Sequence, residues 1–272
     1  DFVSLESNHS LSDTFLLQGN IDCSGQDVDP IGQVNSDTFT GTFDGQGNVI
    51  SNVDINDRGG VADTHLALFG ANDGLIRDLT VDGVSVDGSS QTGSDKRIGG
   101  LVALNAGRID TAQVIVAETD RVYGSSDAPT GGLVGQNASG GTISWSSAVI
   151  DNDSGVFSDR ANADVGGLVG NNNGLIQESY VRGSGSIEGG ERMGGLVGYH
   201  FEGPAQITNT YSAIEVDPAA GSSSAVGGLI GAEGSAGADA VQNSYSVGFV
   251  RYEGSYSVGG FAGVGTGDMV NL

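Results

Sequence analysis

The chain has 272 residues, 48 of them glycine, and a formal net charge of −24 from 34 acidic and 10 basic residues. So negative a surface repels phosphate backbones and anionic membranes, which argues against nucleic acid as a partner. The sequence has no apolar run of roughly 18 residues, so we expect no membrane insertion in this segment, and with Cys23 as its single cysteine it forms no internal disulfide.

Residues 61–272 carry a glycine-rich motif, Gly-Gly-Leu-Val-Gly or a near copy, seven times. Its central residues are Leu68, Leu101, Leu133, Leu168, Leu196, Leu229 and Phe261, at steps of 33, 32, 35, 28, 33 and 32 residues. A unit of this length cannot bury its own apolar face and must stack on its neighbours. The repeat therefore predicts a solenoid.

A second apolar signal follows each motif after a short turn. It consists of an Ile or Val, two variable residues and a small or apolar residue, beginning at Ile76, Ile109, Ile143, Ile176, Ile207 and Val241. A weaker third run follows, as at residues 84–86 and 186–187. Such short runs between Gly, Asn and Ser favour strands. We therefore predict an all-β fold, a right-handed parallel β-helix with three short strands per coil and about seven to nine coils.

Stacked coils place equivalent residues above one another, and the repeat predicts which ones. The central Leu and the Ile of each repeat should form two inward ladders, and the turn residues Asn72, Asn105, Asn137 and 171–173 a stacked Asn ladder. Adjacent strand residues face opposite sides, so the Val after each Leu is expected on a second buried surface, covered by loops or a partner. The loops at 87–97, 120–130, 151–164 and 217–225 should emerge along one edge.

These residues resemble a known group of proteins. Residues 39–53, beginning Phe39-Thr40-Gly41, resemble the opening coil of bacterial and archaeal surface proteins with GLUG repeats, and the seven glycine motifs resemble the GLUG motif. Residues 15–24 followed by 30–32 resemble the N-terminal cap strand of that group. The unbroken repeat predicts one domain over residues 1–272, with 61–272 as repeats ending in an uncapped coil, and the resemblance implies that 1–60 are the cap and first coils. It also implies a cell-surface, adhesin-like location, and the family offers no catalytic residues.

The sequence predicts no catalytic, cofactor or metal site. The histidines His9, His65 and His200 lie far apart, and the in-phase acids Asp78 and Glu178 would lie three coils apart, too far for a catalytic pair. Calcium is left open, because acidic loops offer oxygen ligands. These loops are at Asp57, Asp82, Asp87 and residues 151–153.

Two sets of residues bear on glycans. Tyr180, Tyr211 and Tyr245 recur four residues after their Ile or Val, and Trp145 lies two positions earlier in phase, so the four predict a row that could stack on sugars. Three Asn-x-Ser sequons, at Asn8, Asn137 and Asn152, predict glycosylation, with Asn152 the best placed and Asn137 the worst if it joins the Asn ladder.

We expect a non-enzymatic, extracellular surface module for adhesion or assembly, whose partners are other surface-protein domains or subunits and glycans. A polysaccharide-binding or polysaccharide-degrading domain is one alternative, and a subunit of an extracellular filament or virion is another. The acidic surface, with Lys96 as the one lysine, predicts a halophilic source. The chain stops where the next strand should begin, which predicts a fragment or an end that docks on another subunit.

Overall fold

The computed structural model describes residues 10–32, 37–56, 65–89, 96–124, 127–159, 162–201, 205–218, 225–234, 240–251 and 257–264, with the backbone of 269–270. These residues form parallel β-strands and no helix, stacked as a β-solenoid, which confirms the predicted fold class. In this part of the chain, then, no helix is long and apolar enough to cross a membrane. The strands lie in three sheets, two narrow and one wide, so each coil has three faces.

The glycine motif supplies both narrow sheets. Among the described residues each contains seven strands, one per repeat, so the coils advance by six steps. The first narrow sheet consists of His65–Leu66, Arg97–Gly99, Thr130–Gly131, Asp164–Gly166, Arg192–Gly194, Ala225–Gly227 and Ser257–Gly259. The second consists of Phe69–Asn72, Val102–Asn105, Val134–Asn137, Val169–Asn172, Val197–His200, Ile230–Glu233 and Ala262–Val264.

The wide sheet collects the remaining strands, four of which precede the first motif while the others follow a motif. They are Thr14–Leu16, Ile21–Asp22, Thr42–Asp44, Val49–Asn56, Leu75–Gly88, Arg108–Val116, Arg121–Gly124, Thr142–Ser144, Ser147–Ile150, Gly155–Ser158, Leu175–Gln177, Tyr180–Gly189, Gln206–Thr208, Tyr211–Asp217, Val241–Gln242, Tyr245–Ser246 and Met269–Val270. Pairing is parallel and in register, as in Ile109 with Ile76 and with Ile143. The predicted Ile ladder is confirmed, because these side chains are fully buried.

The Leu and Val of each motif both point into one core, so the predicted second surface is wrong. The chain turns a corner at the Leu, between the two narrow sheets, and the corner redirects the Val that follows. Leu133 and Val134 are both 0% exposed and belong to the same apolar cluster. Glycine is needed at this corner, since a Cβ at Gly132 would collide with the carbonyl oxygen of Gly167.

The run after each Ile bends, although the sequence pattern indicated a continuous strand. Two residues after the Ile the backbone enters the left-handed region, with φ between 50° and 55°, at Asp78, Thr111, Trp145, Glu178, Asn209 and Asn243. The bend interrupts the backbone hydrogen bonds between neighbouring coils. The buried hydroxyl group of the next residue accepts a backbone N–H in their place. Ser146 Oγ accepts the N–H of Ala112, and Ser179 Oγ accepts the N–H of Ser146.

The N-terminal coils hold a cluster of aromatic rings. Phe39 lies 5.3 Å from Phe69 and 6.1 Å from Phe15 between ring centroids, and Phe43 lies 5.3 Å from Phe69. These contacts join the first strands of the wide sheet to the first strand of the second narrow sheet. The division into cap and repeats stays a prediction, and the chain end beyond residue 264, where no cap was expected, lies outside the described side chains.

Candidate functional site

The three tyrosines of the predicted row form a stack on the outward side of the wide sheet. Tyr180 pairs in register with Tyr211, and Tyr211 with Tyr245. Their ring centroids lie 4.9 Å and 5.4 Å apart, with interplanar angles of 0° and 10°. Burial, with the neighbouring phenols, raises the pKa of Tyr211. Because each ring covers its neighbour, the row presents ring edges and hydroxyl groups along most of its length.

Trp145 lies beside this row and not in it. It occupies the left-handed corner between two strands of the wide sheet, at φ 52°, whereas the row position on its coil is Ser147, which pairs with Tyr180. Among the described residues its ring stacks on none of the tyrosines, and 63% of its surface is exposed. Trp145 therefore offers an open aromatic face, and sugar stacking at Trp145 and the tyrosines stays a prediction.

The sequons lie in three different environments. Asn152 is exposed, on a turn at φ 58°, where a sugar has room. Asn137 is 0% exposed and its Nδ2 donates to Asn172 Oδ1 at 2.8 Å, so the folded chain leaves no space for a sugar there. Asn8 lies outside the described residues.

Asn137 belongs instead to a buried polar column that crosses the second narrow sheet. The amide Nδ2 of Asn72 donates to Asn105 Oδ1, and Asn105 Nδ2 donates to Asn137 Oδ1, each at 2.8 Å. Asn172 then bonds His200 Nδ1 at 3.1 Å. The predicted Asn ladder is confirmed, with Asn172 as its member from residues 171–173. Sequence reasoning missed its continuation in His200, although that residue is in phase with the asparagines.

The described histidines are buried and kept neutral. Burial, with Arg97 nearby, lowers the pKa of His65 to about 3, and burial lowers the pKa of His200 to about 4. Glu233 follows His200 in register and is 4% exposed. This places two buried ionisable groups on consecutive coils.

The first narrow sheet contributes a buried ion pair. Arg192 Nη2 donates to Asp164 Oδ2 at 2.9 Å, and its Nε bonds Asp164 Oδ1. Burial raises the pKa of Asp164 to about 6, although Arg192 opposes the rise. The guanidinium also lies 3.9 Å from the ring centroid of Tyr199. These contacts tie neighbouring coils together and leave Asp164 no open side toward a substrate.

The two in-phase acids of the sequence lie apart from each other. Asp78 and Glu178 occupy separate left-handed corners, and Asn209 Nδ2 donates to Glu178 Oε1 at 2.8 Å. Asp57 lies outside the described residues, and the described part contains no group of three or more His, Cys, Asp or Glu residues arranged to hold a metal ion. Calcium binding stays a prediction.

A cleft that sequence reasoning missed lies elsewhere on the wide sheet. It has a volume of about 440 Å³ and is lined by side chains that include Asp87, Arg121, Tyr123 and Phe157. Tyr123 and Phe157 stack at 4.7 Å between centroids and 19° between planes. Their positions carried no regular aromatic pattern through the repeats, so only the register of the coils brings them together.

Three comparisons with known proteins were made, and no family model matches the chain. A stretch of 107 residues, 39% of this chain, is 36% identical to part of Halomucin from Haloquadratum walsbyi, of which it covers 1%. The crystal structure of "a putative immunoglobulin A1 protease from Bacteroides ovatus" superposes with a TM-score of 0.65 at 21% identity, over 98% of this chain and 81% of that one. At that identity the superposition shows a shared β-solenoid fold alone.

Proposed function

We propose that this chain is a non-enzymatic module of an extracellular surface protein, in which a rigid β-solenoid displays loops for adhesion or assembly. The observation that carries the proposal is the stack of coils, whose described strands pair in parallel from Thr14 to Val264 and whose buried polar groups form ladders between coils. Such a stack is a stiff spacer, and its variable loops supply the contacts. Its partners are other domains or subunits of surface proteins, and glycans.

The similarity to Halomucin supports the surface location. The name denotes a mucin, and the matched stretch is a small part of that protein. A chain of net charge −24 suits a salt-rich exterior, where screening limits self-repulsion. Glycosylation at the exposed Asn152 fits the same setting.

The location is tested by labelling intact source cells with an antibody raised against the recombinant chain. We expect intact cells to bind the antibody, with a cytoplasmic protein as the control that is labelled only after lysis. Labelling of this chain only after lysis would refute the surface location.

The non-enzymatic role is tested by incubating the chain with a panel of polysaccharides and with immunoglobulin A1, the substrate in the name of the structural neighbour. We expect no new reducing ends and no cleaved heavy chain. Products whose release is abolished by boiling the chain would overturn the proposal.

A polysaccharide-binding role is the second candidate, and the exposed ring of Trp145 is the observation that favours it. Trp145→Ala should then weaken retention on a polysaccharide affinity gel. The matched control is Phe249→Ala, which removes an exposed aromatic ring that lies outside the predicted row and should leave retention unchanged. Equal retention of wild type and Trp145→Ala would remove Trp145 from this role.

A further inference from the structure

We propose that the cleft at Tyr123 binds an acidic saccharide, a pyranose that carries a carboxylate. This site lies apart from Trp145 and the tyrosine row, and it goes beyond the scaffold role without depending on it. The inference rests on the shape of the cleft, on its stacked aromatic pair and on the one arginine that faces it.

The cleft is built by three consecutive coils of the wide sheet. Asp87, Tyr123 and Phe157 occupy the same register position on these coils. Two residues earlier in each strand, the same face carries Ser85, Arg121 and a glycine. Ser85 on the coil before Arg121 and the glycine on the coil after it are small, so they leave an opening of about 440 Å³, which is enough for a small ligand.

The aromatic pair supplies an apolar wall. Phe157 stacks on Tyr123 from the side of the following coil, at 4.7 Å and 19°. The other face of the Tyr123 ring is therefore directed toward the coil of Asp87 and into the cleft. An aromatic face receives the C–H groups on one side of a pyranose ring, and the phenol at its edge is a polar handle.

Arg121 supplies the charge selectivity. Four other described arginines, Arg77, Arg108, Arg192 and Arg251, each pair with a carboxylate of this chain. Within the described residues, no carboxylate lies within ion-pair distance of the exposed Arg121, and its register neighbours are Ser85 and Gly155. The planar array of donors on the Arg121 guanidinium fits a carboxylate.

The remaining wall offers groups that bind sugar hydroxyls. Asp87 Oδ1 accepts the backbone N–H of Ser89 at 2.8 Å, which fixes the carboxylate at the edge of the cleft. Its other oxygen can accept from sugar hydroxyls, and the hydroxyls of Ser85 and Thr119 can donate or accept. A neutral pyranose would contact only the Tyr123 ring and these groups, whereas a uronate would also pair with Arg121.

The test is a titration of the chain, at one fixed salt concentration, with a galacturonic acid trisaccharide and with the matched neutral galactose trisaccharide. We expect the acidic sugar to bind at least about tenfold more tightly, and Arg121→Gln to remove that preference. Arg182→Gln is the control, because Arg182 is exposed on the same sheet and lines no part of this cleft. It should leave both affinities unchanged.

Tyr123→Leu separates stacking from charge, since leucine keeps the position apolar but removes the ring. We expect it to weaken both sugars by about tenfold while the circular dichroism spectrum stays that of wild type. The affinities for free galacturonic acid and for acetate are measured as well, because a saccharide site should bind the trisaccharide more tightly than it binds acetate. Equal affinity for the acidic and neutral sugars, no binding of either, or an equal loss in Arg182→Gln would each overturn the proposal.

Discussion

The left-handed corner residues show how one backbone position selects its side chain. Left-handed φ values cost roughly 1–2 kcal/mol for most residues and less for Asn, whose short amide bonds locally. Asn209 and Asn243 satisfy this preference, and Asn243 Nδ2 donates to Asn209 Oδ1 at 3.1 Å. Thr111 and Trp145 do not, because branched and bulky side chains are outliers there.

Thr111→Asn should therefore stabilise the chain, by about 1 kcal/mol, because it relieves the strain of a branched residue at φ 55°. The measurement is the shift in the urea unfolding midpoint. Thr208→Asn, at an ordinary strand position next to a corner, is the matched control and should be neutral or slightly destabilising. Loss of stability in Thr111→Asn would mean that the hydroxyl contributes more than the backbone strain costs.

His200 makes the stability depend on pH. Its pKa is 6.5 when exposed and about 4 in the fold. As the pH falls below 6.5 the unfolded chain takes up the proton first, so stability that is complete at higher pH is lost progressively toward pH 4. At about pH 5 the loss amounts to about 2 kcal/mol relative to neutral pH.

His200→Asn should remove this part of the pH dependence. The asparagine cannot titrate, and its amide can still accept from Asn172 as His200 does. We expect the drop in unfolding free energy between pH 7 and about pH 5 to be smaller than in wild type by about 2 kcal/mol, from urea titrations at both pH values. An unchanged drop would mean that the pKa of His200 is the same in the folded and unfolded chains. A larger drop in the variant would mean that the fold favours the charged ring, which the carboxylate of Glu233 on the next coil could pair with.

At the scale of elements, the Asn ladder acts as one unit because every amide is both donor and acceptor. Asn137→Leu would leave the Asn105 donor and the Asn172 acceptor without their 2.8 Å partners in the core. We expect a loss of about 2–4 kcal/mol, measured by thermal or urea unfolding. Asn173→Leu, at a half-buried position one residue past the ladder, is the control and should change stability by under about 1 kcal/mol. Equal losses would show that the ladder adds nothing specific.

Most of the fold could be predicted because identical residues recur at one spacing, and a coil repeats its neighbours' environment. This gave the Leu and Ile ladders and the asparagines of the buried column. The corners were harder: nothing local distinguishes a strand from a strand that bends at Asp78 or Thr111, and the clue, Asn at 209 and 243, appears in only two repeats. The corner at Leu133 leaves no local signal either, so the sequence pattern places the side chain of Val134 on the wrong face.

The sites were less predictable than the fold because they depend on departures from the repeat. The tyrosine row repeats and was found, but whether its rings face solvent or one another depends on side-chain rotation. The cleft depends on Arg121, Tyr123 and Phe157 lying on particular coils next to small residues. Because this combination occurs once, a search for periodic patterns does not detect it.

At the scale of the whole molecule, acidic side chains from different coils meet on the surface. Burial raises the pKa of Asp120, and the carboxylates of Glu118, Asp54 and Asp82 raise it further. A raised pKa means that the fold disfavours the ionised form, so Asp120 destabilises the chain at neutral pH. Since the net charge is −24, such repulsion acts over the entire molecule.

Screening should therefore stabilise the chain. Between roughly 0.1 M and 3 M NaCl the Debye length falls from about 10 Å to under 3 Å, and the unfolding temperature should rise throughout. Salt also strengthens apolar burial, so the rise alone does not identify screening. Asp120→Asn makes the distinction: it should stabilise the chain by under about 1 kcal/mol at low salt, and by less at high salt, where only the burial of Asp120 still disfavours its charge. Asp73→Asn, at an exposed position, is the matched control with a smaller gain. If Asp120→Asn gains as much at high salt as at low salt, the repulsion among these acids is not what salt relieves, and apolar burial explains the salt dependence.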